Sequence, residues 1–164
     1  MTEFRSFRVS AVVLRHKDWG EADQLLTIYA RELGKVRAVA KGARKVTSRK
    51  AGHLQPFTHV TLQLARGRDL LIVTQAETVN AFLAIGADLM KTGYASYVIE
   101  LLDRFTYDDD GGHPSTFKLL IETLDRLEKE SDAWVAVRYY EMRLLDYVGF
   151  RPQLFECANC GREI

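Results

Sequence analysis

The chain has 164 residues, 47% of them hydrophobic and 27% charged, with a formal net charge of +1. These proportions belong to a globular protein and exclude a disordered or collagen-like chain; apolar runs such as residues 11–14 are far too short to span a bilayer. The small net charge hides a segregation: the first eighty residues carry 14 Lys and Arg against 7 Asp and Glu, a surplus of +7, and the rest carry 9 against 15, or −6. A basic half joined to an acidic half predicts a polyanion-binding module beside a module of another kind. The opening residues 1–5 lack a charged-then-apolar signal, which reads as a cytoplasmic protein without a membrane segment. In that compartment the two cysteines, Cys157 and Cys160, point to metal or redox chemistry and not to a structural disulfide.

The first half has the period of strands. Phe7, Val9, Ala11 and Val13 alternate with Arg8 and Ser10, and Leu26, Ile28 and Ala30 form a second set. A tight turn at residues 32–35 leads to Val36, Ala38 and Ala40, alternating with Lys35, Arg37, Val39 and Lys41. A longer insert covers residues 42–57, with a short helix expected at 48–54. Val60, Leu62 and Leu64 then alternate with Thr61 and Gln63, and a hairpin turn at 66–69 precedes a fifth strand at 70–73. Five strands with a helix between the third and fourth is the order of an OB-fold barrel, a common nucleic-acid platform. The period then becomes 3.6. A weaker helix is expected near 79–90, followed by apolar faces on Tyr94, Val98, Leu101, Leu102 and Phe105, on Phe117, Leu120, Ile121, Leu124 and Leu127, and on Val137, Tyr140, Leu144, Leu145 and Val148. Residues 108–112 (DDDGG) break the chain, Pro114 opens the next helix, Ser131 or Asp132 caps the last, and Gly149 with Pro152 ends it. The predicted class is α+β: an OB-fold at 1–80, a helical domain at 81–150 and a zinc-finger-like segment at 151–164.

The sharpest local feature is residues 35–50, KVRAVAKGARKVTSRK, with seven cations and no acid: Lys35, Arg37, Lys41, Arg44, Lys45, Arg49 and Lys50. Alternation puts Lys35, Arg37 and Lys41 on one strand face, with Val36, Ala38 and Ala40 turned to the core. The loop adds the other four, and Gly42 with the Thr47 and Ser48 hydroxyls permits close approach to phosphates. A row of cations on a barrel face is what a phosphodiester backbone needs; the bland alternative is a solvated basic loop. Trp19, Tyr29 and Phe57 are the aromatic candidates for base stacking, though for any one of them core packing is the commoner role.

Residues 157–161, CANCG, read as half of a zinc knuckle: two thiolates two residues apart chelate one tetrahedral ion, and the glycine lets amides turn toward sulfur. A structural zinc needs four ligands, so the other two must come from a segment past Ile164, from another chain or from distant histidines. A thioredoxin-like pair would sit near a βαβ pattern, which is missing. The sequence has no GxxxxGK[ST], GxGxxG or GxSxG motif, and His16, His53, His59 and His113 are scattered. The expectation is therefore a binding protein, not an enzyme.

Landmarks in fixed order then carry a family resemblance. They are 11–14 (AVVL), 20–23 (GEAD), Gly34-Lys35, 41–45 (KGARK) with Ser48, 54–57 (LQPF), 100–103 (ELLD) within 97–103, 149–152 (GFRP) and 157–161 (CANCG). Over essentially the whole chain the sequence resembles the RecO family of DNA repair and recombination mediators. The resemblance implies an N-terminal OB-fold, a helical domain and a four-cysteine zinc module, of which this chain has the first cysteine pair. It also implies binding of single- and double-stranded DNA, annealing of complementary strands, work with RecR, and contact with the acidic C-terminal tail of single-strand-binding protein. Loading of RecA onto coated strands follows, at the nucleoid and without a bound nucleotide. Two other classes fit the same residues: a protein-interaction scaffold, which would retain no DNA on a filter, and an RNA-binding OB protein, separable by oligonucleotide competition.

Overall fold

The computed structural model describes residues 6–109 and 111–164; the opening residues 1–5, read above for a signal, and Asp110 of the acid run lie outside them. Five strands come first: β1 (Ser6–Trp19), β2 (Asp23–Ala30), β3 (Gly34–Ala40), β4 (His59–Arg66) and β5 (Leu71–Asn80). They close into a barrel in the order β1-β2-β3-β5-β4, antiparallel except where β3 meets β5 through Ala38–Leu71 and Val39–Ile72. Helices α1 (Leu83–Gly86), α2 (Leu89–Phe105), α3 (Pro114–Lys129) and α4 (Ala133–Tyr147) follow, so the class is α+β.

The alternation sets the barrel core. Val9, Ala11, Val13, Leu26, Ile28, Val36, Ala38 and Ala40 meet Val60, Leu62, Leu64 and Val73 inside it. The run at 11–14 breaks strict alternation because both faces of β1 are covered. Val12 and Leu14 point out of the barrel and, with Tyr29, enter a second core shared with Phe82, Leu102, Phe117, Leu120 and Tyr140. The helices are thus packed directly onto the outside of β1 and β2.

Capping follows composition. The Asp88 carboxylate accepts from the Met90 and Lys91 amides at 2.8 and 3.1 Å, and Asp132, not Ser131, caps α4 by accepting from Val135 N at 3.3 Å. Pro114 occupies the first turn of α3.

Three expectations need correction. The fifth strand does not stop at Val73 but runs to Asn80, because β4 pairs with it along its whole length up to His59–Asn80. That removes the start of the helix expected near 79–90. Phe82, buried and left-handed at φ 45°, then turns the chain, leaving only the four-residue α1 before Asp88 begins α2. The helix expected at 48–54 is a single 3-10 turn, Ala51–His53. Leu54 behind it is fully buried in the barrel core, and His53 Nδ1 lies 2.7 Å from Thr78 Oγ1, so side-chain anchoring fixes this stretch in place of helical length.

Candidate nucleic-acid interface

The basic segment is held in place at several points. Gly42 N donates to Asp23 Oδ1 at 2.7 Å and Arg44 N to Ala22 O at 2.9 Å, tying residues 42–44 to the β1–β2 turn. Gly42 itself is left-handed at φ 65°, a conformation that favours glycine. The Arg44 guanidinium lies 3.1 Å from Asp18 Oδ2 and donates to the Gly20 and Glu21 carbonyls. Lys41, Lys45 and Arg49 are exposed, and no carboxylate pairs with them among the described residues. Lys50 is half-buried, its Nζ donating to Val73 O at 3.3 Å; burial lowers its pKa, opposed in part by the nearby Asp23 charge.

Lys35 leaves the set. It does face out of the barrel, as alternation requires, but that exterior is roofed by the end of α2. Its side chain is only 9% exposed, and Nζ donates to Asp103 O at 2.7 Å and Thr106 O at 2.6 Å, with Asp103 Oδ1 at 3.2 Å. It closes the carboxyl end of a helix, where a cation belongs, and cannot reach a phosphate.

Arg37 stays exposed and gains neighbours that alternation conceals. The β1–β2 register slips between Val13 and Arg15, leaving Leu14 unpaired; Arg15 then pairs with Thr27, which pairs with Arg37. Arg15 Nε donates to Thr27 Oγ1 at 3.3 Å, and the three form one row across the outer face of β1, β2 and β3. Lys17 stands two residues on, 5.9 Å from the Trp19 ring centroid. Arg15, Lys17, Thr27 and Arg37, with Leu25, line a groove. Sequence reasoning missed Arg15 and Lys17 because the phase fixed by Val9, Ala11 and Val13 sends them inward. A β-bulge inserts one residue and reverses the phase.

Of the aromatic candidates, Tyr29 is wholly buried and belongs to the core under the helices, Phe57 is packed against that core, and Trp19 is 44% exposed. Two acids from the helical half reach the same face: Asp103 Oδ2 lies 2.8 Å from Arg15 Nη1, and Asp108 Oδ2 lies 3.5 Å from Arg37 Nε.

The cysteines lie in a tight hairpin. Cys157 N donates to Arg162 O at 2.7 Å, Gly161 N to Cys157 O at 2.9 Å, and Gly161 is left-handed at φ 69°. Hydrogen bonds from the Asn159 and Cys160 amides, then from the Cys160 side chain, lower the Cys157 thiol pKa, which favours the thiolate that binds metal. No third Cys, His, Asp or Glu joins them among the described residues. No helix among those residues is long and apolar enough to cross a membrane.

Two family models divide the chain: Recombination protein O N terminal matches residues 1–82 and Recombination protein O C terminal residues 86–164. The DNA repair protein RecO of Roseiflexus sp. (strain RS-1) is 45% identical over 157 residues, 96% of this chain and 55% of that protein. That of Heliobacterium modesticaldum (strain ATCC 51547 / Ice1) is 42% identical over 160 residues, 98% of this chain and 58% of that protein. That of Dehalococcoides mccartyi (strain ATCC BAA-2266 / KCTC 15142 / 195) is 35% identical over 164 residues, 100% of this chain and 64% of that protein. The chain therefore spans less than two thirds of the length of these relatives.

Proposed function

The chain belongs to the RecO family, and from that membership we propose that it acts in DNA repair and recombination. Its barrel is an OB-fold that binds single- and double-stranded DNA and helps complementary strands anneal. The observation that carries this reading is the outer face of β1, β2 and β3. Arg15, Lys17 and Arg37 stand there beside exposed Trp19, and Lys41, Arg44 and Lys45 border it at the β1–β2 turn. The strand order with its β3–β5 closure supports the OB-fold reading, since that fold binds oligonucleotides on its second and third strands.

Annealing is limited by repulsion between phosphate chains, and cations that neutralise them lower that barrier without reading sequence. Trp19 offers a stacking surface to an unpaired base. Base pairing supplies the specificity. No catalytic step is needed, and we assign the chain a binding role in the cytoplasm.

The partners follow as part of the same proposal: RecR, the acidic C-terminal tail of single-strand-binding protein, and RecA as the protein loaded. The groove between the barrel and α3 suits an acidic tail with an apolar tip. Phe117, Ile121 and Pro114 provide apolar walls, and Arg31 and Lys118 the cations at its edge. For the hairpin at Cys157 and Cys160 we propose two of four thiolate ligands to a zinc ion, the others supplied elsewhere in the longer protein or by another chain. The ion would cross-link the hairpin.

The test is annealing of labelled complementary oligonucleotides coated with single-strand-binding protein, with and without RecR. Acceleration by this chain, lost in a K17E/K41E variant, supports the proposal; an annealing rate unchanged by the chain at low salt defeats it.

A further inference from the structure

The basic segment has two ends, and the fold delivers them to different faces of the barrel. Residues 42–44 are tied to the β1–β2 turn. Past Ser48 the chain crosses toward β5, where Lys50 Nζ reaches Val73 O at 3.3 Å and His53 is fixed to Thr78. Arg49 and Lys50 therefore line a groove on the outside of β1, β4 and β5 with Arg8, Thr61, Gln63 and Gln75.

The register makes this groove orderly. Arg8, Gln63 and Gln75 form one row across the three strands, and Ser10, Thr61 and Glu77 the next. A bulge between Gln63 and Leu64 turns Thr74 outward, its hydroxyl donating to Gln63 O at 3.0 Å. Ala76 is the one apolar residue in the lining, and its side chain packs against the barrel core. Arg8, Arg49 and Lys50 share the lining with one acid, Glu77, whose pair with Arg8 at 3.4 Å is well exposed on both sides and exchangeable for another anion, while Lys50 also feels the nearby Asp23 charge.

We propose that this β1–β4–β5 face is a second track for a sugar-phosphate chain, separate from the one on β1–β2–β3, so that one molecule holds two strands. It rests on the nucleic-acid reading of the first face and deepens it. Guanidinium, ammonium, amide and hydroxyl donors are the groups that bind phosphate and sugar. The lining has no aromatic ring, so the strand is held by its backbone with its bases left free to pair. The continuous basic segment over the barrel end joins the two tracks and commits the occupant to the same polyanion.

The test compares two double variants of the 164-residue chain, R8E/R49E on this face and K17E/K41E on the other. Titration with a labelled single strand gives stoichiometry and affinity, and stopped-flow annealing gives rate. R8E/R49E should keep its affinity for the first strand within about twofold, saturate at one strand per molecule where the unaltered chain saturates at two, and anneal at least about tenfold more slowly. K17E/K41E should lose the first strand. If R8E/R49E keeps the stoichiometry and rate while K17E/K41E loses binding, the second track is wrong and the first stands. If neither variant alters binding, the first face is not the interface and the second track falls with it. R49E/Q75E, altered only at exposed positions, repeats the measurement should R8E/R49E melt early; a full stoichiometry of two there also overturns the proposal.

Discussion

Lys35 and Lys41 belong to the same basic run in the sequence, yet they do opposite things. The Lys35 ammonium is surrounded by the Asp103 and Thr106 carbonyls and the Asp103 carboxylate, and its removal leaves the end of α2 with unpaired acceptors. Lys35→Met keeps the apolar stem and loses the charge, so it should cost about 2–3 kcal/mol in urea unfolding. Lys41→Met, at an exposed position, should stay within about 0.5 kcal/mol and weaken DNA binding instead. Lys35→Met losing DNA affinity at full stability would return that residue to the interface. His59 makes a second prediction at this scale. Its Nε2 lies 2.8 Å from Ser10 Oγ and its ring packs edge-on against Phe117, and burial lowers its pKa. The unfolded chain then takes up a proton first, so this contribution is fully present above the ordinary imidazole value of about 6.5 and is lost as pH falls through the lower folded value. The urea midpoint should drop on acidification through that window, and His59→Gln should flatten the drop.

Between elements, the segment following α2 is the part most closely tied to the basic face. Asp109 N donates to Lys35 O at 3.0 Å, and Asp108 pairs with β3 at Lys35 as a strand would. Gly112 passes so close to the β2–β3 turn that a Cβ there would collide with the Arg31 carbonyl. The segment thereby holds the Asp108 carboxylate against Arg37, where a phosphate would compete with it. Asp108→Asn should raise single-strand affinity about two- to fivefold at low salt, the worth of an exposed pair, with the gain vanishing as salt rises; an unchanged affinity would place the DNA away from Arg37. This arrangement also marks what was legible in the sequence. The inward set of every strand could be read, because burial of Val9, Leu26, Val36 or Leu62 depends on a local period of two. The bulge at Leu14 could not, since it is fixed by where β1 pairs with β2 and by the helices that cover Val12 and Leu14. Lys35 was misplaced for the same reason: its surroundings come from α2, nearly seventy residues away in the chain. Lys41, Lys45 and Arg49 are exposed, as composition alone suggests for cations in a turn, whereas Lys50 is half-buried against Val73 O and Arg44 is held by Asp18.

Over the whole molecule, Val12, Leu14 and Tyr29 are outer residues of the barrel and inner residues of the helical half, so neither half completes its burial alone. Chemical unfolding of the 164-residue chain should therefore be one cooperative transition, coincident by far-UV circular dichroism and tryptophan fluorescence. Two separate transitions would mean the shared core contributes little. On the proposed function, the same juxtaposition sets how DNA binding should respond to salt. The positive surplus sits in the barrel half and the acids in the helical half, but Asp103, Asp108 and Asp18 already neutralise Lys35, Arg15, Arg37 and Arg44 in part. Counterion release counts a cation in full where it passes from water or a mobile ion to a phosphate, and in part where a carboxylate already shares it. If Lys17, Arg37, Lys41, Arg44 and Lys45 provide four or five such contacts, the logarithm of single-strand affinity should fall against the logarithm of salt with a slope of roughly −3, from about −0.7 per contact. Replacing Lys41, Arg44 and Lys45 by Ala should bring the slope to about −1 and weaken all sequences alike, because phosphate contacts carry no base information. A slope near −3 retained by the triple variant would place the phosphates on other cations. A loss confined to particular sequences would mean the face reads bases and not the backbone.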